Sequence, residues 1–133
     1  MSVDQWYVPG SLRSAGSEAI HFSFRWRSLR LMLYVAHEVV LLVDAARATK
    51  VQISYRGRTV AAEDLVKTNW VVLEGENLDV RAELPNGLKP GVHRVEMTAL
   101  LGGDFMGGVS GKPVRLCAFT TEVKLVSTKA EHQ

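Results

Sequence analysis

The stretch AIHFSFRWR, residues 19–27, decides the fold. Ile20, Phe22, Phe24 and Trp26 alternate with His21, Ser23, Arg25 and Arg27. A period of two places every second side chain on one face, as a half-buried β-strand requires; a helix would scatter these aromatics around its axis. The alternation returns downstream. Leu78, Val80 and Ala82 oppose Asp79, Arg81 and Glu83; Val95, Met97 and Ala99 oppose Arg94, Glu96 and Thr98. LRLMLYVA extends the first strand's pattern, with Leu29, Leu31, Leu33 and Val35 on one face. VVLLVD, residues 39–44, is a continuous apolar run suited to a strand covered on both faces.

Turn signals punctuate these runs. YRGR around Gly57 predicts a hairpin, the glycine supplying a positive φ. PNG at Pro85–Gly87 and KPG at Lys89–Gly91 are two turns in close succession. Ala61–Leu65 predicts one helical turn, and two strands flank a turn at Glu74–Asn77. VRLCAFTTEVKLV, residues 114–126, reads as a last long strand or bent strand pair, and Ser127–Gln133 as a solvated tail. Seven to nine short strands with frequent turns predict an all-β fold, an antiparallel β-sandwich of immunoglobulin-like or jelly-roll-like kind. The rival is an α+β roll with Leu29–Ala46 helical, which a run without Gly or Pro permits.

The chain has 133 residues, 47% of them hydrophobic, which predicts one globular domain, 1–133, able to bury a core without disulfides. Cys117 is the single cysteine, in keeping with a reducing, cytoplasmic setting. The start, MSVDQWYVPGSLRS, lacks an apolar stretch behind a basic one, so no secretory signal is expected. Arg30, His37 and Glu38 interrupt the longest apolar run, Leu29–Val43, which predicts no membrane span. A net charge of +2 with both signs interspersed gives no electrostatic footprint for nucleic acid.

Gly102, Gly103, Gly107, Gly108 and Gly111 crowd one connection. It ends in Gly111–Lys112, but a phosphate-binding loop needs glycine five residues before Gly111 and Ser or Thr after the lysine. Met106 and Pro113 stand there instead, so nucleotide binding is excluded. A strand connector and a contact loop remain. Asp104, Phe105 and Met106 sit at its tip, where apolar side chains are costly to leave uncovered. Phe105 either folds back on its own sheet or meets a partner or ligand.

His37–Glu38 begins like a zinc-protease motif, but the second histidine's position holds Leu41. A bulge presenting His37 and Glu38 to solvent or an interface fits better. His21 and His93 fall on separate strands and His132 in the tail, so no metal is expected in this chain. Cys117 lies in an apolar strand, and no serine sits in a G-x-S-x-G elbow. Arg25 and Arg27 project from the face opposite the aromatics, either as a solvated basic face or as a dock for an acidic or sugar-like surface. No catalytic residue is assigned.

The order of features resembles the small β subunit of bacterial C-glycoside deglycosidases. The resemblance rests on Gly87–Leu88, Pro90–Gly91, His93 and Val95, with Trp70 upstream and the pair Trp26–Arg27. It covers about two thirds of the chain. It implies a compact β-sandwich that works in a hetero-oligomer with a larger α/β-barrel subunit. That subunit would hold a divalent metal, manganese by expectation, and cleave the bond between a 3-oxo sugar and an aromatic aglycone such as a flavonoid. The alternatives are a stand-alone carbohydrate- or protein-binding sandwich and a small ketosteroid-isomerase-like α+β enzyme.

Overall fold

The computed structural model describes residues 7–16, 18–27, 30–103 and 109–123, and of 101–103 and 109–114 the backbone alone. Their strands are β1 (Arg13–Ser14), β2 (Ala19–Arg25), β3 (Leu31–Met32), β4 (Ala36–Val43), β5 (Ala46–Arg47) and β6 (Thr49–Tyr55). β7 (Arg58–Ala61), β8 (Val71–Val72), β9 (Asn77–Glu83), β10 (Gly91–Gly103) and β11 (Val109–Val123) follow. All pairings are antiparallel. One sheet has the order β1-β2-β9-β6-β7, a second β11-β10-β4-β5, and β3-β8 form a two-stranded third. The fold is all-β, as the alternation predicts. Seven strands have four or more residues; the surplus over the expected count lies in the two-residue ladders β1, β3, β5 and β8.

The two large sheets bury their inner faces against one another. Ile20, Phe22, Phe24, Leu78 and Val80 come from the first; Leu41, Val43, Val95, Met97 and Phe119 from the second. Phe22 meets Phe119 edge-on with ring centres 5.4 Å apart, and Tyr7 stacks on Phe119 at 3.8 Å. Edge-on and offset contacts suit the ring quadrupoles and add to the burial of apolar area. Trp26 is buried, as its place in the alternation predicts, and so is Trp70.

The segment 29–46 differs in detail from both expectations. It is not a helix, and the strand stops early. After β3, Leu33–Val35 form a 3-10 turn closed by the Ala36 N–H on the Leu33 carbonyl. The Leu33 N–H donates to the Trp70 carbonyl at 3.0 Å, which turns the backbone toward the end of the sandwich. Leu31 and Leu33 remain buried, so their spacing satisfies both geometries; Leu29 lies outside the described residues. β4 is not covered on both faces. Leu41 and Val43 are buried, while Val40 and Leu42 are half-exposed, because the core packs against one face only. The predicted helical turn is a 3-10 turn at Ala62–Lys67 that buries Ala62 and Leu65.

The glycine-rich connection is shorter than its composition implies. Gly102 and Gly103 belong to β10 and Gly111 to β11, whose pairing reaches Gly103 opposite Val109. The connector therefore joins neighbouring strands. Its tip, Asp104, Phe105 and Met106, and the tail at 127–133 lie outside the described residues.

Two hairpins turn on left-handed residue pairs. Arg56 and Gly57 have φ of 51° and 80°; Asp44 and Ala45 have 52° and 70°. This is the twist-matched two-residue turn, and at its second position it favours glycine. Ala45 is exposed and carries a Cβ in a region that costs L-residues about 1–2 kcal/mol. Ala45→Gly is expected to stabilise the protein by about 1 kcal/mol, read as a higher urea midpoint at an unchanged slope.

Candidate functional site

The β6–β7 hairpin sets out one end of the sandwich. Tyr55 pairs directly with Arg58 across the turn. Opposed residues share a sheet face, so Arg58 follows Tyr55 toward the inner side. Trp70 meets the Tyr55 ring edge-on at 5.7 Å and closes the floor. Two open clefts share the wall made by Arg58, Asn69 and Trp70. One, about 450 Å³, lies between β7 and the 3-10 turn bearing Asp64 and Lys67. The other, about 420 Å³, runs past Val71 to Leu73.

Glu76 anchors this end. Its carboxylate accepts two hydrogen bonds from Arg56, at 2.9 and 2.6 Å, and one from the Leu73 N–H at 2.8 Å. The Tyr55 hydroxyl also donates to it, while lying 2.8 Å from the Val71 carbonyl oxygen. Backbone bonds from the Trp26 N–H to Glu76 and from the Gly75 N–H to Trp26 tie the segment to β2. The Tyr55 hydrogen bond, then the Leu73 N–H and Arg56, hold the Glu76 carboxyl down at about 2. Burial and the Glu76 contact push the Tyr55 phenol up to about 12. The Arg56 guanidinium lies over the Tyr55 ring at 5.2 Å. Arg56 is thus spoken for, and Lys67 pairs with Asp64 at 3.4 Å. Arg58 and Asn69 are exposed, and among the described residues their side chains make no hydrogen bond or ion pair.

A second polar assembly locks the corner before β10. His93 Nδ1 lies 2.6 Å from Asp44 Oδ2, and Nε2 lies 2.5 Å from the Lys89 carbonyl. Both partners are acceptors, so the protonated ring, with an N–H on each nitrogen, satisfies both at once. Burial pulls its pKa down, but Asp44 and the Lys89 carbonyl outweigh this and raise it above the ordinary 6.5. Asp44 also accepts the Arg94 N–H at 2.8 Å, and that bond, then His93, lowers its own pKa. His21 behaves oppositely. Burial, then the charge of Arg13, lowers its pKa, and its Nδ1 is buried with no hydrogen-bond partner among the described residues.

The residues singled out in the sequence do not gather in one place. Arg25 is half-exposed and donates to Asn77 at 2.9 Å; Arg27 is exposed beyond the end of β2. His37 and Glu38 are exposed on β4, where a φ of 50° at Glu38 and a register shift against β10 mark a bulge. Glu38 lines a third cleft, about 320 Å³, with Arg47, Lys50 and Glu63. Asp104, Phe105 and Met106 are outside the described residues. Cys117 is fully buried, and burial pushes its thiol far up, which suits a packing role. Among the described residues no group of three or more His, Cys, Asp or Glu is placed to hold a metal ion, and no helix is long and apolar enough to cross a membrane. Sequence reasoning took YRGR only as a turn and passed over Arg58, Asn69 and Glu76. Comparison with known proteins returns no matching family model and no matching curated relative.

Two titrations follow. Glu76 is held below its ordinary 4.5, so its contribution is full above that value and is lost as pH falls through about 2. Glu76→Gln is expected to lower the urea midpoint near neutral pH and to remove much of the wild type's loss of stability on acidification. His93 is raised, so its contribution is full below 6.5 and is lost as pH climbs through its folded value. His93→Gln is expected to lower stability most below 6.5 and to flatten the decline above it, measured by urea unfolding across pH.

Proposed function

We propose that this chain is the non-catalytic small subunit of a C-glycoside-cleaving lyase complex, working in the cytoplasm as a hetero-oligomer. Its partner is a larger α/β-barrel subunit that holds the divalent metal, manganese by expectation. Bound there, the metal would supply Lewis-acid polarisation of a 3-oxo sugar's keto group, the chemistry that loss of an aromatic aglycone by elimination needs. The present chain supplies a rigid sheet surface for that subunit.

One observation carries the reading. Of the residues behind the resemblance, Gly87, Leu88, Gly91, His93 and Val95 lie together at the corner that leads into β10, while Trp26 and Trp70 are buried toward the β6–β7 hairpin. Gly87 and Gly91 take φ of 66° and 131°, His93 is clamped by Asp44 and Lys89, Leu88 packs on the core, and Val95 is fully buried. A hydrogen-bonded corner of this kind is a scaffold feature, in keeping with a subunit whose contribution is shape. A stand-alone binding sandwich is the second reading, favoured by ligand-sized clefts beside Arg58.

Co-expression with the product of the adjacent gene, expected to be a barrel-type subunit, separates the two. The complex is expected to co-elute on size exclusion, and a 3-oxo-C-glycoside to turn over only with both chains present. Turnover by this chain alone, or separate elution, contradicts the accessory role.

A further inference from the structure

We propose that the paired clefts at the β6–β7 hairpin form a binding site for a small organic monocarboxylate with an apolar body. This goes beyond the accessory role and does not depend on it. The charge balance selects the anion. Arg56 is answered by Glu76 and Lys67 by Asp64, which leaves Arg58 as the charge without an ion pair in this wall, among the described residues. One uncompensated guanidinium matches one carboxylate, and its planar fork accepts both oxygens. A phosphate dianion would require more. Asn69 stands in the same wall with its amide donors unused, again among the described residues.

The apolar half of the ligand has its own surface. Leu73 is 44% exposed, one of three large hydrophobic side chains so exposed among the described residues. It lies in the second cleft with Val71 and the edge of Trp70. An exposed leucine beside an unpaired arginine gains from one occupant that covers the first and pairs with the second. Each cleft falls within the range of about 300–1,000 Å³ typical of small-ligand sites. The wall is also pre-set, because Glu76 fixes the Leu73 backbone and Arg56 and so holds both sides of the cleft in place.

The test uses benzoate as probe, followed by amide NMR on the full chain. Saturable shifts confined to residues near Arg58, Asn69 and Leu73 are expected. Arg58→Gln, at an exposed hairpin position, is expected to weaken binding about tenfold or more while leaving the spectrum dispersed. Lys50→Gln, on the far side of the 3-10 turn, is expected to bind as the wild type does. Benzyl alcohol tests the charge and inorganic phosphate the anion class. No saturable binding, equal binding by Arg58→Gln, or binding of benzyl alcohol or phosphate as tight as benzoate overturns the proposal.

Discussion

Phe22 on one sheet and Phe119 on the other meet across the middle of the sandwich, and Tyr7 extends the contact to the strand edge. Neither sheet can bury its inner face alone. Each becomes stable only when the other covers it, so every other feature depends on these faces meeting in register. The aromatic rows fix that register, because a one-residue slip would turn Phe22 and Phe24 out to water. The sequence puts polar residues on the outer row to match. Ser23 donates to Asp79, and Ser54 and Thr59 share a hydrogen bond at 2.7 Å across β6 and β7.

The polar groups that matter are concentrated at the sheet ends, where the chain reverses. Glu76 joins a hairpin, a strand and a loop through one carboxylate. His93 and Asp44 join two turns that are far apart in sequence. Removing one partner of such a cluster strands the others, which costs more than the bond itself contributes. These ends are therefore rigid, and rigidity makes the hairpin wall a usable surface. Arg58 gains meaning from that: a free guanidinium on a mobile loop would be a solvated charge, whereas here it stands over a fixed floor.

Much of the fold was legible because burial on one face imposes a period that the residue order displays. β2, β9 and β10 are plain in AIHFSFR, NLDVRAE and VHRVEMTAL. Leu31–Val35 was not, since alternate leucines are buried equally well by a strand and by a 3-10 turn. The turn at Asp44–Ala45 was also missed, because neither residue is glycine. Of the candidate site, the sequence marked residues by chemical type: Arg25, Arg27, His37 and Glu38. Arg25 lies on one sheet and His37 and Glu38 on another, Arg27 stands beyond the end of β2, and Arg25 already has a partner.

Taken alone, the order of residues determined the fold class, the inner faces of β2, β9 and β10, and the turns at Gly57 and Pro85–Gly87. These are local consequences of side-chain alternation and backbone preference, and neighbours within a few positions decide them. The pairing of β3 with β8, the clamp on His93, and the meeting of Arg58, Asn69, Trp70 and Leu73 were decided only in three dimensions. Each brings together residues from separate segments, and no local pattern records which distant carboxylate will neutralise an arginine. Tertiary packing made that choice when it set Glu76 against Arg56 and left Arg58 facing the cleft.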